Sequence, residues 1–377
     1  MPSSIFHLPS PISHPRRILV RGVNWLGDAV MTTPALQRLR ERFPQAQITL
    51  LTHEKLGDLW RHHPNIDDLI TFNSGESAWS VADRLRAYDL ALILPNSPRS
   101  ALEMRLARIP QRIGYVRRWR SWLLTHPIPA RPGHVTMRKL SASEIKRLIS
   151  RRGRTGQMGQ TGLTRGHQIH DYLHLVAALG ADPSPVPPRL LVQPAEIEAA
   201  AAKFGLTSDP ARPFLGLNPG AAYGPAKRWP LERFIAAARD IQSRTNCTWL
   251  ILGSKSDLPL ADALHSALGT PHSAIKSLAG KTTLRELMAV LKFCRVLLTN
   301  DTGPMHLAAA LGTPVVVPFG STSPALTAPG LPGDTRHRLL TSEAACSPCY
   351  RRNCPIDFRC MTGIGVERVV EAVLALV

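Results

Sequence analysis

Short apolar runs alternate along this chain with longer stretches whose apolar positions recur every three or four residues. Ile18-Leu19-Val20-Arg21 reads as a strand, and 28–42 as a helix with Leu36, Leu39 and Phe43 at helical spacing. Ile48-Thr49-Leu50-Leu51, Leu69-Ile70-Thr71-Phe72 and Leu90-Ala91-Leu92-Ile93-Leu94 read as further strands, each after a helix-like segment. A helix-like stretch at 170–179 gives way to Pro183, Pro185, Pro187, Pro188 and Pro194, so 183–194 reads as a linker. The alternation then restarts. Strands are expected at Phe214-Leu215-Gly216-Leu217, Trp249-Leu250-Ile251-Leu252, Val296-Leu297-Leu298-Thr299 and Val315-Val316-Val317, with helices at 231–244 and 284–293. Val366, Val369, Val370, Val373 and Val377 form the apolar face of a closing helix. Apolar strands alternating with helices predict parallel sheets covered on both faces. The expected fold is α/β, with two doubly wound Rossmann-like domains, 16–182 and 195–377, and the active site in the cleft they face.

Composition narrows this picture. At 377 residues and 44% hydrophobic, the chain can bury two cores. No run approaches the ~18 apolar residues a membrane span needs. Residues 1–15 are rich in Pro, Ser and His and lack a signal-peptide core, so they read as a disordered extension of a cytoplasmic protein. The net charge of +19 points to an anionic partner. It is concentrated at 105–154, where 14 Lys and Arg residues face one carboxylate, Glu144. The stretch 150–166 reads as part of a disordered basic insertion at about 131–166 of the first domain. At 112–122, Tyr115, Trp119 and Trp122 are interleaved with Arg117, Arg118 and Arg120. That pattern favours a contact surface for a membrane or an anionic ligand over a merely solvated arginine face. Charge alone would also suit a nucleic-acid-binding protein, but no nucleic-acid module is recognisable.

Three segments should lie at the carboxyl ends of strands, where open α/β sheets bind ligands. Gly22-Val23-Asn24-Trp25-Leu26-Gly27-Asp28 permits a tight turn but lacks the dinucleotide fingerprint. By spacing alone Asp28 is an N-cap; as a functional group it would be a general base. Asn218 to Pro230 holds Gly220 and Gly224 and ends with Lys227 and Arg228, a combination suited to a pyrophosphate, although the spacing excludes a Walker A loop. Asn300-Asp301-Thr302-Gly303-Pro304-Met305-His306 turns from a strand into a helix, either as an ordinary capped helix or as a phosphate site over Thr302 and Gly303. No Asp-x-Asp pair occurs in the chain, which argues against a metal-bridged diphosphate.

In order and in detail, these segments resemble the heptosyltransferases of lipopolysaccharide core synthesis, glycosyltransferase family 9. The matching stretches are Asn24 to Met31, Leu94-Pro95-Asn96-Ser97, Pro219 to Pro230 and Asn300 to His306, and they lie within 17–320. The resemblance implies a GT-B enzyme, heptosyltransferase II above all, that inverts the anomeric centre without a metal or other catalytic cofactor. It implies an ADP-heptose donor in the second domain and a lipid A–Kdo–heptose acceptor in the first. Asp28 corresponds to the base and Lys227 to the phosphate-binding lysine. Thr302 and Gly303 correspond to the backbone phosphate site, with Gly220, Arg228, Asp301 and His306 in the same motifs. Asn96, Arg117, Arg118 and Arg120 are expected at the acceptor or at the anionic cytoplasmic face of the inner membrane. Heptosyltransferase I and a sugar-nucleotide epimerase on the same fold are the alternatives; an epimerase would need no basic lipid-facing surface. Cys346-x2-Cys349-x4-Cys354-x5-Cys360 lies outside these motifs. It reads either as reduced thiols, which Arg351, Arg352 and Arg359 would bias toward thiolate, or as a structural zinc site. Disulfides are disfavoured in a reducing cytoplasm.

Overall fold

The computed structural model describes residues 14–150, 166–269 and 275–377. The expected disorder at 1–13 and across 151–165 lies outside these residues. The chain divides into two compact units: Met1–His134 with Arg165–Leu191, and Val135–Thr164 with Val192–Val377.

The first unit is built on six parallel strands: β1 (Arg17–Arg21), β2 (Gln47–His53), β3 (Asp68–Phe72), β4 (Leu90–Ile93), β5 (Gln111–Tyr115) and β6 (His126–Ile128). Their order is β3-β2-β1-β4-β5-β6. The second unit repeats the plan with β7 (Phe214–Asn218), β8 (Thr248–Ile251), β9 (Ile275–Ser277), β10 (Cys294–Thr299), β11 (Val315–Phe319) and β12 (Arg338–Thr341), also all parallel, in the order β12-β11-β10-β7-β8-β9. Each sheet reverses its winding once, between β1 and β4 and between β7 and β10. Those reversals open the crevices in which doubly wound folds bind ligands.

β1 and β4 are apolar because both faces of a central parallel strand are covered. The strands the pattern did not reveal are β5, β6, β9 and β12. β9 and β12 are edge strands of half-buried residues. β6 has three residues, one of them proline. β5 carries Arg112, whose guanidinium donates to the carbonyls of Leu123 at 2.8 Å and Ile109 at 2.5 Å, so a cation is absorbed where the pattern shows a break. The helix expected at 28–42 is two helices, Leu26–Met31 and Thr33–Arg42, with Thr32 between them and Pro34 in the first turn of the second.

The placement of the basic insertion is corrected. Val135–Thr164 groups with the second unit rather than the first. Leu140 donates its backbone N–H to the Cys349 carbonyl at 3.0 Å, and Arg351 Nη1 donates to the Leu140 carbonyl at 2.8 Å. Ile145, on the helix Ala142–Ser150, is buried against Cys346 and Cys349. Leu140 and Ile149, partly buried, pack against the same cluster.

Candidate functional site

The crevice of the first unit is shaped by a buried ion triplet. Glu103, fully buried, accepts from Arg21 Nε at 2.9 Å and Arg99 Nε at 3.0 Å. Arg21 also donates to the Gly22 carbonyl at 2.7 Å and reaches Asn24 Oδ1 at 3.3 Å, which fixes the turn after β1. Trp25 is the N-cap of the following helix, so Asp28 is the third helical residue and not the cap. Asp28 lines a cavity of about 270 Å³ with Trp25, Asn96, Tyr115, Asp171 and Tyr172. Burial, and then the charge of Asp28, push the Tyr172 hydroxyl well above the usual phenol range. Gln168 donates to the same hydroxyl at 2.9 Å.

The far wall of the cavity is a network that sequence spacing could not show. Asp171 holds Arg131 at 2.5 Å and His134 at 3.1 Å. Tyr115 donates its hydroxyl to the Asp171 carbonyl at 2.6 Å and stacks on His174. These residues come from β5, from the loop after β6 and from the helix Ile169–Ala177, far from Asp28 in the chain. The one available signal was the polar run Gln168-Ile169-His170-Asp171-Tyr172 at the start of an apolar helix.

Of the arginines expected to form an exposed patch, Arg120 is instead fully buried, and its Nη1 donates to Asn96 Oδ1 at 3.2 Å. It sits within the fold because Gly114 leaves room for it: a Cβ there would lie 2.6 Å from Arg120 Nη2. Arg117 lines the cavity. Arg118 lies over the ring of Trp119, whose side chain is 76% exposed, and Arg105 over that of Trp122, which is 66% exposed.

In the second unit the loops after β7 and β10 are locked together by Asn300. Its Oδ1 accepts from the Trp229 N–H at 2.9 Å, and its Nδ2 donates to the Pro219 carbonyl at 2.7 Å. Gly220 is obligatory because a Cβ there would fall 2.4 Å from Asp257 Oδ1. Gly224, at φ +149°, lets the backbone pass against Arg352, whose carbonyl accepts from the Ala226 N–H at 2.9 Å. The Lys227 ammonium meets Asp301 Oδ2 at 2.6 Å and lies 5.1 Å from the centre of the Tyr223 ring. Thr322 donates its hydroxyl to the same Asp301 oxygen at 2.5 Å. Asp301 is therefore committed to side chains and does not cap the helix Gly303–Ala310; its N-cap, Thr302, makes no side-chain cap bond. The first-turn amides and the positive end of that helix stand beside a lysine, an arrangement suited to phosphate oxygens. Thr302 and Gly303 are half-buried and reachable, whereas His306 is buried further along the helix. Arg228 does not join Lys227. It lines a separate, largely apolar cavity of about 260 Å³ with Pro219, Trp229, Leu260 and Phe358.

The cysteine-rich tail supports this loop: Tyr223 donates its hydroxyl to the Tyr350 carbonyl at 2.8 Å. Among the described residues, no three His, Cys, Asp or Glu side chains are grouped so as to hold a metal ion, although Cys346, Cys349 and Cys354 all lie near enough to Cys360 to act on its thiol. Nor do their arginine neighbours dominate the thiol chemistry. Burial pushes Cys346 and Cys349 up and Cys360 up to about 12, which keeps these three protonated.

Two Rossmann-like halves, one with a carboxylate lining a cavity and the other with a lysine beside a helix N-terminus at its sheet reversal, have the build of a GT-B glycosyltransferase. The profile of glycosyltransferase family 9 (heptosyltransferase) matches residues 161–358, and the chain belongs to that family. It is 31% identical over 329 residues to lipooligosaccharide heptosyltransferase 2 of Haemophilus ducreyi, covering 83% of this chain and 86% of that protein. To lipopolysaccharide heptosyltransferase 2 of Escherichia coli K12 it is 30% identical over 329 residues, 83% of this chain and 85% of that one. The solved structure of E. coli ADP-heptose lps heptosyltransferase II superimposes with a TM-score of 0.72 at 27% identity, over 96% of this chain and 98% of that one.

Proposed function

We propose that the protein transfers a heptose from ADP-heptose to a heptose of the lipopolysaccharide inner core, the heptosyltransferase II reaction. The observation that carries the donor half is Lys227 held by Asp301 at the mouth of the uncapped helix Gly303–Ala310. A diphosphate there gains a cation and backbone donors at once. In the first unit, Asp28 takes the proton from an acceptor hydroxyl. As that oxygen bonds to the anomeric carbon, the carbon–phosphate-oxygen bond breaks and ADP leaves with its charge met by Lys227. Attack opposite the leaving group inverts the centre. No metal is assigned to the step, because lysine and helix together supply the positive charge that Asp-x-Asp enzymes take from a cation.

Incubating the purified protein with ADP-heptose and acceptors bearing no heptose or one heptose tests this reading. The expected result is ADP release and a product one heptose heavier, with the one-heptose acceptor only. Transfer to the heptose-free acceptor alone would move the chain to the heptosyltransferase I class, and no transfer to either would overturn the reading.

The acceptor is a lipid, and among the described residues no helix is long and apolar enough to cross a membrane. We place the protein on the anionic cytoplasmic face of the inner membrane through Trp119, Trp122, Arg118 and Arg105. Interfacial tryptophans and cations worth about 1 kcal/mol each suit such a surface. Replacing Trp119, Arg118 and Trp122 together by serine is expected to weaken sedimentation with anionic vesicles while leaving ADP affinity intact. Unchanged sedimentation at low salt would remove this surface from the membrane contact.

A further inference from the structure

Arg120 is the one fully buried arginine whose charge no carboxylate meets among the described residues. Its Nε and Nη2 have no hydrogen-bond partner there, and only its Nη1 is used, on Asn96 Oδ1. Such a group is costly to keep unless a ligand repays it. Two carboxylates of this unit are already taken: buried Glu103 by Arg21 and Arg99, and half-buried Asp171 by Arg131 and His134. Burial, reinforced by Arg117, draws the Arg120 guanidinium down to about 10, which leaves it charged at neutral pH.

Two consequences follow at the cavity. Because Asn96 accepts from Arg120 through Oδ1, its amide orientation is fixed and its Nδ2 protons are left as donors. Asn96 lines the cavity that holds Asp28, and so does Arg117, which is in no salt bridge among the described residues and rests 5.8 Å from the centre of the Tyr115 ring. The cavity therefore sets the Arg117 charge and an oriented amide donor beside the Asp28 carboxylate. The Asp171 carboxylate is already met by Arg131 and His134.

We infer that Asn96, oriented by Arg120 and joined by Arg117, forms an anion-recognition subsite for an acidic group on the acceptor, a phosphate monoester or a sugar carboxylate. This rests on the reading of the first unit as the acceptor side and adds to it the group that selects the acceptor. Asn96 and Arg117 touch the anion; Arg120 is a positioning residue that acts through Asn96 and through its charge.

The test measures initial rates of heptose transfer against acceptor concentration for wild type, Asn96→Ala, Arg120→Met and Arg120→Lys. Three acceptors are used: intact, phosphatase-treated and carboxyl-reduced. With the intact acceptor, Arg120→Met and Asn96→Ala are expected to raise KM about tenfold or more, the scale of one hydrogen bond to a charged group, with little change in kcat. Arg120→Lys should recover part of the loss. One treated acceptor should show the raised KM already with wild type and be indifferent to the substitutions, which identifies the anion as phosphate or carboxylate. Equal losses for all three acceptors, or a fall in kcat at constant KM, would overturn the inference. If Arg120→Met does not fold, exposed Asn96 carries the same expectation. A titration with inorganic phosphate, with the second unit saturated by ADP, is read by the fluorescence of Trp25, which lines the same cavity. Wild type should respond and Asn96→Ala should not; equal responses would reject the subsite even if no acceptor is turned over.

Discussion

Asp28→Asn is expected to lower kcat by roughly 10²- to 10⁴-fold, the range for loss of a general base, with ADP affinity and the unfolding midpoint unchanged. The exchange is isosteric, and Asp28 is not the N-cap, so the helix Leu26–Met31 keeps its start. What changes is the charge in the cavity. The charge of Asp28 already acts on Tyr172, whose hydroxyl it helps burial to push up. A substrate hydroxyl in the same space would meet a carboxylate able to take its proton; an amide cannot. The fall should therefore appear in kcat and kcat/KM together, as for an interaction made only in the transition state. Single-turnover and steady-state rates measured on the pure variant check this. A kcat within a few-fold of wild type would assign the proton to another group on the same cavity.

Lys227→Met is expected to weaken donor binding by about 10- to 100-fold, the scale of a lost charge-assisted hydrogen bond. It should also destabilise the protein. Asp301 is 3% exposed, and without Lys227 it would keep the Thr322 hydroxyl but lose its cation. Removing one partner of a buried ion pair costs about 3–5 kcal/mol. The two effects separate in the double variant Lys227→Met/Asp301→Asn. Stability should largely return, because no unpaired charge remains, while donor affinity should not. Calorimetric titration with ADP and chemical unfolding measure the two quantities independently. Recovery of ADP affinity in the double variant would show that Lys227 acts on the fold rather than on the phosphate. Wild-type turnover is expected to survive EDTA; loss in EDTA with recovery on added magnesium would give the leaving-group charge to a cation.

Much of the architecture could be read from periodicity, because central strands such as β1, β4, β10 and β11 are covered on both faces and must be continuously apolar. The edges could not, since half-buried strands such as β12 and short ones such as β6 need no apolar run. The loops that meet around Asn300 were legible because their parts are local: a glycine-bearing loop ending in a lysine, and a strand that turns into a helix. Side-chain direction was not. Lys227 and Arg228 are neighbours in sequence, yet one meets Asp301 and the other faces an apolar cavity. Arg120 reads as one more surface cation beside Arg117 and Arg118, and only the space over Gly114 shows that it turns inward. The wall around Asp171 was hidden because its members meet only after the sheet is wound.

The docking of Leu140 and Ile145 onto the cysteine-rich tail bears on how such a gene can be shuffled. The polypeptide passes from one unit to the other after His134, returns by Arg165, and passes over again after Leu191. A recombination event with one breakpoint in the proline-rich stretch would deliver a second unit stripped of the segment that covers Cys346 and Cys349. Exchanging that unit between relatives therefore takes three coordinated breakpoints. The two units are thus inherited together, although each is built on a sheet of its own.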